Sequence, residues 1–307
     1  MTDRDTIALV SMGCRWFGRE DLDAYWYRLV NDLPMEPDCL SSNSAQPLSR
    51  QIADVVEEIR ADLNLEKIRP TEFVMIMAGS FLGDPSFASS VTGQNSITVD
   101  DVWQALDQAR DLLQNKKNKL VLILAVEPGE KVSPNDARQM FTPYGADSVY
   151  VHAISPGVAC IALARVDVAT ERHWKSYALL SEAAGSNQIE QALLSSPDML
   201  ETLRQCDMIE GAGRGDLEPD GDEISVLHRL LGDYDPALPL QALGSVKAFV
   251  GNTGCVAPLA SIIKSALSLS NKVIPGNGCD YEPMASLYQT PLFLNQRLRP
   301  WIHHPGK

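Results

Sequence analysis

Several signals are missing from this 307-residue chain. No apolar run approaches the ~20 residues that a helix needs to cross a bilayer. The first ten residues, MTDRDTIALV, lack the basic, then apolar, then small-residue order of a secretory leader, so a soluble, cytoplasmic protein is expected. Basic charge is scarce: 26 Lys and Arg stand against 40 Asp and Glu, a formal net charge of −14. That balance argues against a nucleic-acid partner, whose phosphates demand a basic face, and against anionic membrane surfaces. The six cysteines (Cys14, Cys39, Cys160, Cys206, Cys255, Cys279) show no CxxC spacing, so neither a zinc site nor a disulfide framework is signalled. Histidine is rare as well, with His152, His173, His228, His303 and His304 making up the whole set. There is no HExxH and no GxSxG elbow, and the alternating glycines of 211–215 lack the acidic context of a dinucleotide site. No cofactor and no metal are expected.

What is present is a core. Hydrophobic residues make up 45% of the chain, and apolar strand-like runs alternate with segments of helical period, the pattern of an α/β layered fold. Strands are predicted at Thr6–Met12, broken by Gly13, at Phe73–Ala78 and at Leu120–Val126, the last being the most apolar and so central. Val149–Val151, Val158–Ala164, Tyr177–Leu180, Asp207–Glu210 and Val246–Val250 complete the set. Helices are predicted over Asp21–Leu33, Gln51–Leu63, from near Asp101, over Gln188–Cys206 with an interruption at Pro197, from Ile224 to Leu231, and over Ala257–Leu269. Residues 36–46 and 79–96 read as loop. The Pro- and Gly-rich run Pro128–Tyr144 reads as a seam between a first half of about 1–130 and a second of about 145–300. Periodicity alone predicts a mostly parallel α/β arrangement.

Four segments carry a family resemblance. They are IALVSMGCRWFGREDLDAYWYRLVNDL (7–33), the stretch from Phe141 to Arg165, the acidic strand end and glycine-rich loop from Asp207 to Leu230, and LGSVKAFVGNTGCVAPLASIIKSALSLSNKVI (243–274). In that order they resemble the β-ketoacyl synthases, the condensing enzymes of fatty acid and polyketide assembly. The resemblance implies a truncated thiolase-like fold of two tandem α/β halves in α/β/α/β/α layers, forming one domain over 1–307.

The resemblance also implies what the site has lost. A condensing enzyme needs a thiolate at a helix start, where the helix dipole and free N–H groups lower its pKa, and two histidines for decarboxylation of the malonyl extender. The family nucleophile stands in Thr-Val-Asp-Thr-Ala-Cys-Ser-Ser. Here Thr98, Val99 and Asp100 run straight into Asp101 and Val102, and the nucleophile falls in the gap. Asp101, with Gln104 three residues on, reads as a helix cap. The first catalytic His position holds Ala212 and the second holds Asn252, five residues beyond Lys247. Asn has no titration near neutrality. Lys247 is the one family site residue retained, and closing an internal polar network is its expected role.

Taken together, Asp100, Asp101, Ala212, Lys247 and Asn252 mark a degenerate site with no catalytic residue. The chain is similar to the pseudo-ketosynthase preceding the acyltransferase in the acyltransferase-bearing subunit of bacterial polyunsaturated fatty acid synthases. The partners this implies are an acyltransferase in the same polypeptide, with 301–307 leading towards it, an acyl carrier protein, and a ketosynthase/chain length factor subunit. Two alternatives remain open. One is a chain length factor-like partner lining the tunnel of an active ketosynthase; the other is an acyl-transfer enzyme using Cys255, whose position at a helix entry is expected to lower its pKa.

Overall fold

The computed structural model describes residues 6–17, 20–34, 47–79, 96–116, 118–129, 141–148, 154–180, 194, 196–278 and 280–302. Its main sheet is built from β1 (Ile7–Trp16), β2 (Phe73–Ala78), β3 (Ser96–Val99), β4 (Leu120–Glu127), β5 (Gly157–Arg165) and β6 (Ala178–Leu180). Their order across the sheet is β3-β2-β4-β5-β1-β6. β2 runs parallel to β3 and β4, whereas β5 is antiparallel to both of its neighbours, β4 and β1. The expectation of a mostly parallel arrangement therefore fails for this sheet.

A β-bulge between Leu9 and Ser11 shifts the alternation of β1. Before it, Ile7 and Leu9 face the larger core; after it, Met12, Cys14 and Trp16 do. Gly13 does not break the strand as expected, and Gly13 to Arg15 continue it. Gly13 is needed for a close approach, because a Cβ there would lie 3.3 Å from Cγ1 of Val55 on α2 (Leu48–Asp62).

Each face of the sheet is covered. Ile52, Val55, Val56 and Ile59 of α2 pack on one face against Ala8, Val10, Met75 and Leu122, and the short α4 (Val166–Glu171) adds Ala169 to the same cluster. On the other face lie α1 (Leu22–Val30), α3 (Val102–Gln114) and α8 (Ala257–Asn271), the last contributing Leu259, Ile263 and Leu267. A second, parallel sheet of order β10-β8-β7 consists of β7 (Met208–Glu210), β8 (Gln241–Gly244) and β10 (Leu292–Leu294). It meets α6 (Leu217–Leu231) through Leu243, Leu292, Ile224 and Leu227. A two-stranded ribbon of β9 (Val273–Ile274) and β11 (Arg299–Pro300) completes the sheets of the described residues. No described helix is long and apolar enough to cross a membrane.

Three boundaries differ from expectation. The proline- and glycine-rich run does not separate the sheets, since β5 and β6 beyond it belong to the first sheet, which extends to Leu180. Val246–Val250 is not a strand: Lys247–Val250 form the helical turn α7, and the strand lies just upstream at Gln241–Gly244. Ala248, Phe249 and Val250 are all buried, and a short, wholly apolar run carries no period to tell helix from strand. Two helix starts differ from expectation. α6 begins at Leu217 because Pro219 is tolerated in the first turn, and Pro197 opens α5 (Pro197–Gln205) behind the cap Ser196 instead of interrupting a helix. The predicted strand Val149–Val151 lies outside the described residues, as do residues 36–46, 188–193 and most of 79–96.

Candidate functional site

The glycine-rich loop after β7 is shaped by two carboxylates of α6. Glu223 accepts hydrogen bonds from the N–H groups of Ala212 (2.8 Å) and Gly213 (3.0 Å) and from the Tyr144 hydroxyl (2.8 Å). Asp220 accepts from Arg214 N–H (2.5 Å), Gly215 N–H (3.0 Å) and Tyr144 N–H (2.9 Å). These bonds require the turn that Gly213 makes at φ 38°, and a Cβ on Gly213 would lie 2.7 Å from Cβ of Ser245. The backbone donors are therefore spent internally. Burial raises the Asp220 carboxyl above its ordinary value against the pull of those three N–H groups.

Ser245 ties this loop to the segment that carries Lys247. Its hydroxyl contacts the carbonyls of Ala212 (3.3 Å) and Gly213 (3.4 Å) and accepts from Lys247 N–H (3.3 Å). Ala212 is exposed and, with Arg214, Glu218, Pro219, Asp222 and Glu223, lines an open groove of about 400 Å3. Lys247 is half-buried; burial, and then the charge of Arg214, push its ammonium below the ordinary lysine range. No ion pair of Lys247 occurs among the described residues, so it does not close the internal polar network expected of it. That role falls to Lys264, whose Nζ lies 2.8 Å from Glu210 Oε2 in full burial, a charge contact without hydrogen-bond alignment.

Asn252 follows α7 after the cap residue Gly251. Its carbonyl accepts from Ser155 N–H (2.7 Å), anchoring the segment beside the start of β5. The next turn, Gly254–Val256, rests on the ends of the parallel strands: Cys255 Sγ donates to Val126 O at 3.2 Å, and a Cβ on Gly79 would lie 2.9 Å from that sulfur. Gly79 N–H in turn bonds Val99 O (3.3 Å), the residue before Asp100. The fold thus links Ala212 to Lys247 through Ser245, sets Asn252 beside Ser155, and brings Asp100 to the same strand ends as Cys255. Asp101 is the cap of α3, its carboxylate accepting from Gln104 N–H at 2.9 Å.

None of the four described thiols is poised as a thiolate. Burial pushes Cys255 up to about 11, aided by Glu127, so the lowered pKa expected from its helix entry is not found. Cys206 likewise reaches about 11, and burial raises Cys14 and Cys160 strongly. Cys39 and Cys279 lie outside the described residues, as do His152, His303 and His304. His228 is a surface partner of Asp233 at 2.8 Å. Among the described residues no group of three or more His, Cys, Asp and Glu is placed to hold a metal.

Known proteins share this fold. The chain superposes on the ketosynthase from module 1 of the bacillaene synthase of Bacillus amyloliquefaciens with a TM-score of 0.77, at 18% identity, over 98% of this chain and 72% of that one. The fold is that of a ketosynthase. An oxazolomycin ketosynthase domain of Streptomyces albus gives 0.71 at 20% identity, over 96% of this chain and 88% of the other. Residues 165–278, which hold Ala212, Lys247 and Asn252, match the family described as "Beta-ketoacyl synthase, C-terminal domain". Two curated relatives are polyunsaturated fatty acid synthase proteins of Thraustochytrium. One is 38% identical over 88 residues (28% of this chain) and the other 32% identical over 110 residues (32% of this chain). The chain covers only 4% of the length of either relative. Ala212, Asn252 and the capping Asp101 all lie within this ketosynthase fold.

Proposed function

We propose that this chain is a ketosynthase-like module of a polyunsaturated fatty acid or polyketide synthase that performs no condensation itself. It serves as a scaffold or docking module for an adjacent acyltransferase, an acyl carrier protein or an active ketosynthase. The observation that carries this reading is Asp101, whose carboxylate caps the start of α3 by accepting from the Gln104 N–H. In the resembling family that helix start presents the nucleophilic thiol, and a carboxylate there repels both a thiolate and a malonyl carboxylate. Ala212 has no proton to exchange and Asn252 does not titrate near neutrality. The raised pKa values of Cys14, Cys160, Cys206 and Cys255 support the same reading. Incubation with malonyl and acyl thioesters, followed by mass spectrometry, tests it: neither decarboxylation nor a lengthened acyl chain is expected, and either product overturns it.

A second reading, a partner that pairs with an active ketosynthase, is favoured by the outer edge of the main sheet. β3 has no further strand beside it among the described residues, and Trp103, just after it, is exposed. Sedimentation with an active ketosynthase separates the two, since only this reading requires a stable heterodimer.

A further inference from the structure

The run GDYDPALPL (232–240) joins α6 to β8, and every one of its residues is exposed. It leaves α6 at the opposite end from the groove, whose lining belongs to the first turns of that helix and the loop before it. Two backbone bonds lay it against the turn Ala285–Gln289 and the residues just after: Tyr234 N–H donates to Gln289 O (3.2 Å) and Gln241 N–H to Pro291 O (2.8 Å). Between these anchors Asp235 holds a turn, its carbonyl accepting from Leu238 N–H (3.0 Å) and its carboxylate from Ala237 N–H (2.8 Å). On this fixed surface Tyr234, Leu238, Leu240 and, from the neighbouring turn, Tyr288 are each 40 to 65% exposed. Large apolar side chains held together in water mark a contact surface for another molecule.

Charge on the same surface is of one sign. Residues 232–241 and 280–291 include Asp233, Asp235, Asp280 and Glu282 and no Lys or Arg. The flanking His228, Arg229 and Arg297 are already engaged, His228 by Asp233 and Arg297 by Asp280. Asp233 still keeps its side chain 94% exposed, Asp235 and Glu282 are exposed as well, and Glu282 holds Tyr288 by accepting from its hydroxyl at 2.9 Å. A second copy of this chain would set carboxylate against carboxylate with a net charge of −14 on each side, and an anionic lipid surface is repelled in the same way. We infer that Tyr234, Leu238, Leu240 and Tyr288, rimmed by Asp233, Asp235 and Glu282, form the docking surface for a basic partner domain. Apolar side chains of the partner cover the patch, and its lysines or arginines meet the rim. The inference rests on the docking role proposed above and supplies its surface and the chemistry of its partner; it does not depend on the loss of condensation.

The test is selection of a random peptide library displayed on phage against the whole chain, with binders to the double variant Leu238→Ser with Tyr288→Ser removed at each round. Both changes are at exposed positions, and the urea midpoint is expected to stay at the wild-type value. Enriched peptides are expected to carry Lys or Arg beside apolar residues and to bind the double variant about tenfold more weakly than wild type. Asp233→Asn with Asp235→Asn, which keeps the acceptor used by Ala237, weakens them by about threefold at low salt, whereas Glu57→Gln, an exposed change on α2, leaves the affinity alone. Acidic or uncharged sequences, or none that tells wild type from the Leu238→Ser with Tyr288→Ser variant, overturn the inference. So does a dimer in sedimentation that this variant dissolves, since the occupant is then a second copy. Condensation or decarboxylation with a malonyl thioester overturns the non-condensing reading instead, so the two failures are distinguishable.

Discussion

Glu210 at the end of β7 and Lys264 in the middle of α8 form an ion pair at 2.8 Å, with side chains 6% and 1% exposed. This contact ties the second sheet to the helix layer beneath the first, between the groove and the core. Gly244 makes room for it, since a Cβ there would lie 3.1 Å from both charged atoms.

Removing one partner strands the other. Lys264→Met is expected to cost about 3–5 kcal/mol because an unpaired carboxylate is left in a dry interior, whereas the double change Glu210→Leu with Lys264→Met recovers much of the loss. Urea unfolding of the three proteins checks this; equal destabilisation by the single and double changes rules it out.

Asp220 gives the chain a pH signature. Its folded pKa is raised above the ordinary 3.8 by burial, so between those two values the folded state holds more protons than the unfolded one. Stability therefore falls as pH rises through that window and is level above it. Asp220→Asn should flatten this segment of the wild-type curve, measured as urea midpoint against pH; an unchanged slope refutes the assignment.

Asp101 acts as a cap. Asp101→Ala is expected to lower stability by about 1 kcal/mol and leave thioester turnover at background. Thermal unfolding measures the first and product analysis the second, and any turnover lost with Asp101 would show a catalytic share.

Cys255, with its pKa at about 11, should be a slow thiol. At pH 7.5 roughly one molecule in 3,000 carries the thiolate, so iodoacetamide should modify it far more slowly than an ordinary cysteine. Mass-mapped alkylation decides this, and rapid labelling would revive Cys255 as an acyl carrier.

Much of this is legible in the residues. The strand Phe73–Ala78 and the cap at Asp101 stand where the sequence places them, because a bounded apolar run and an Asp three residues before Gln are local signals. Val246–Val250 reads as strand because burial on every side erases periodicity, and Pro197 misleads because a proline that starts a helix looks like one that breaks it. Lys247 and Lys264 exchange roles for a different reason. Sequence spacing marks a lysine in a motif, but it does not say which ammonium finds a carboxylate.

The sequence by itself determined the alternation of strands and helices and the acidic balance, and its resemblance to condensing enzymes is what sets Ala212, Asn252 and Asp101 against the expected His, His and helix start of a thiol. Those are properties of single positions and short windows. The tertiary structure alone decided that Glu210 pairs with Lys264, that Asp220 and Glu223 consume the loop's N–H groups, and that burial raises rather than lowers the pKa of Cys255. Charge pairing and desolvation depend on which distant groups share a dry space, and that is fixed only when the two sheets close on the helices between them.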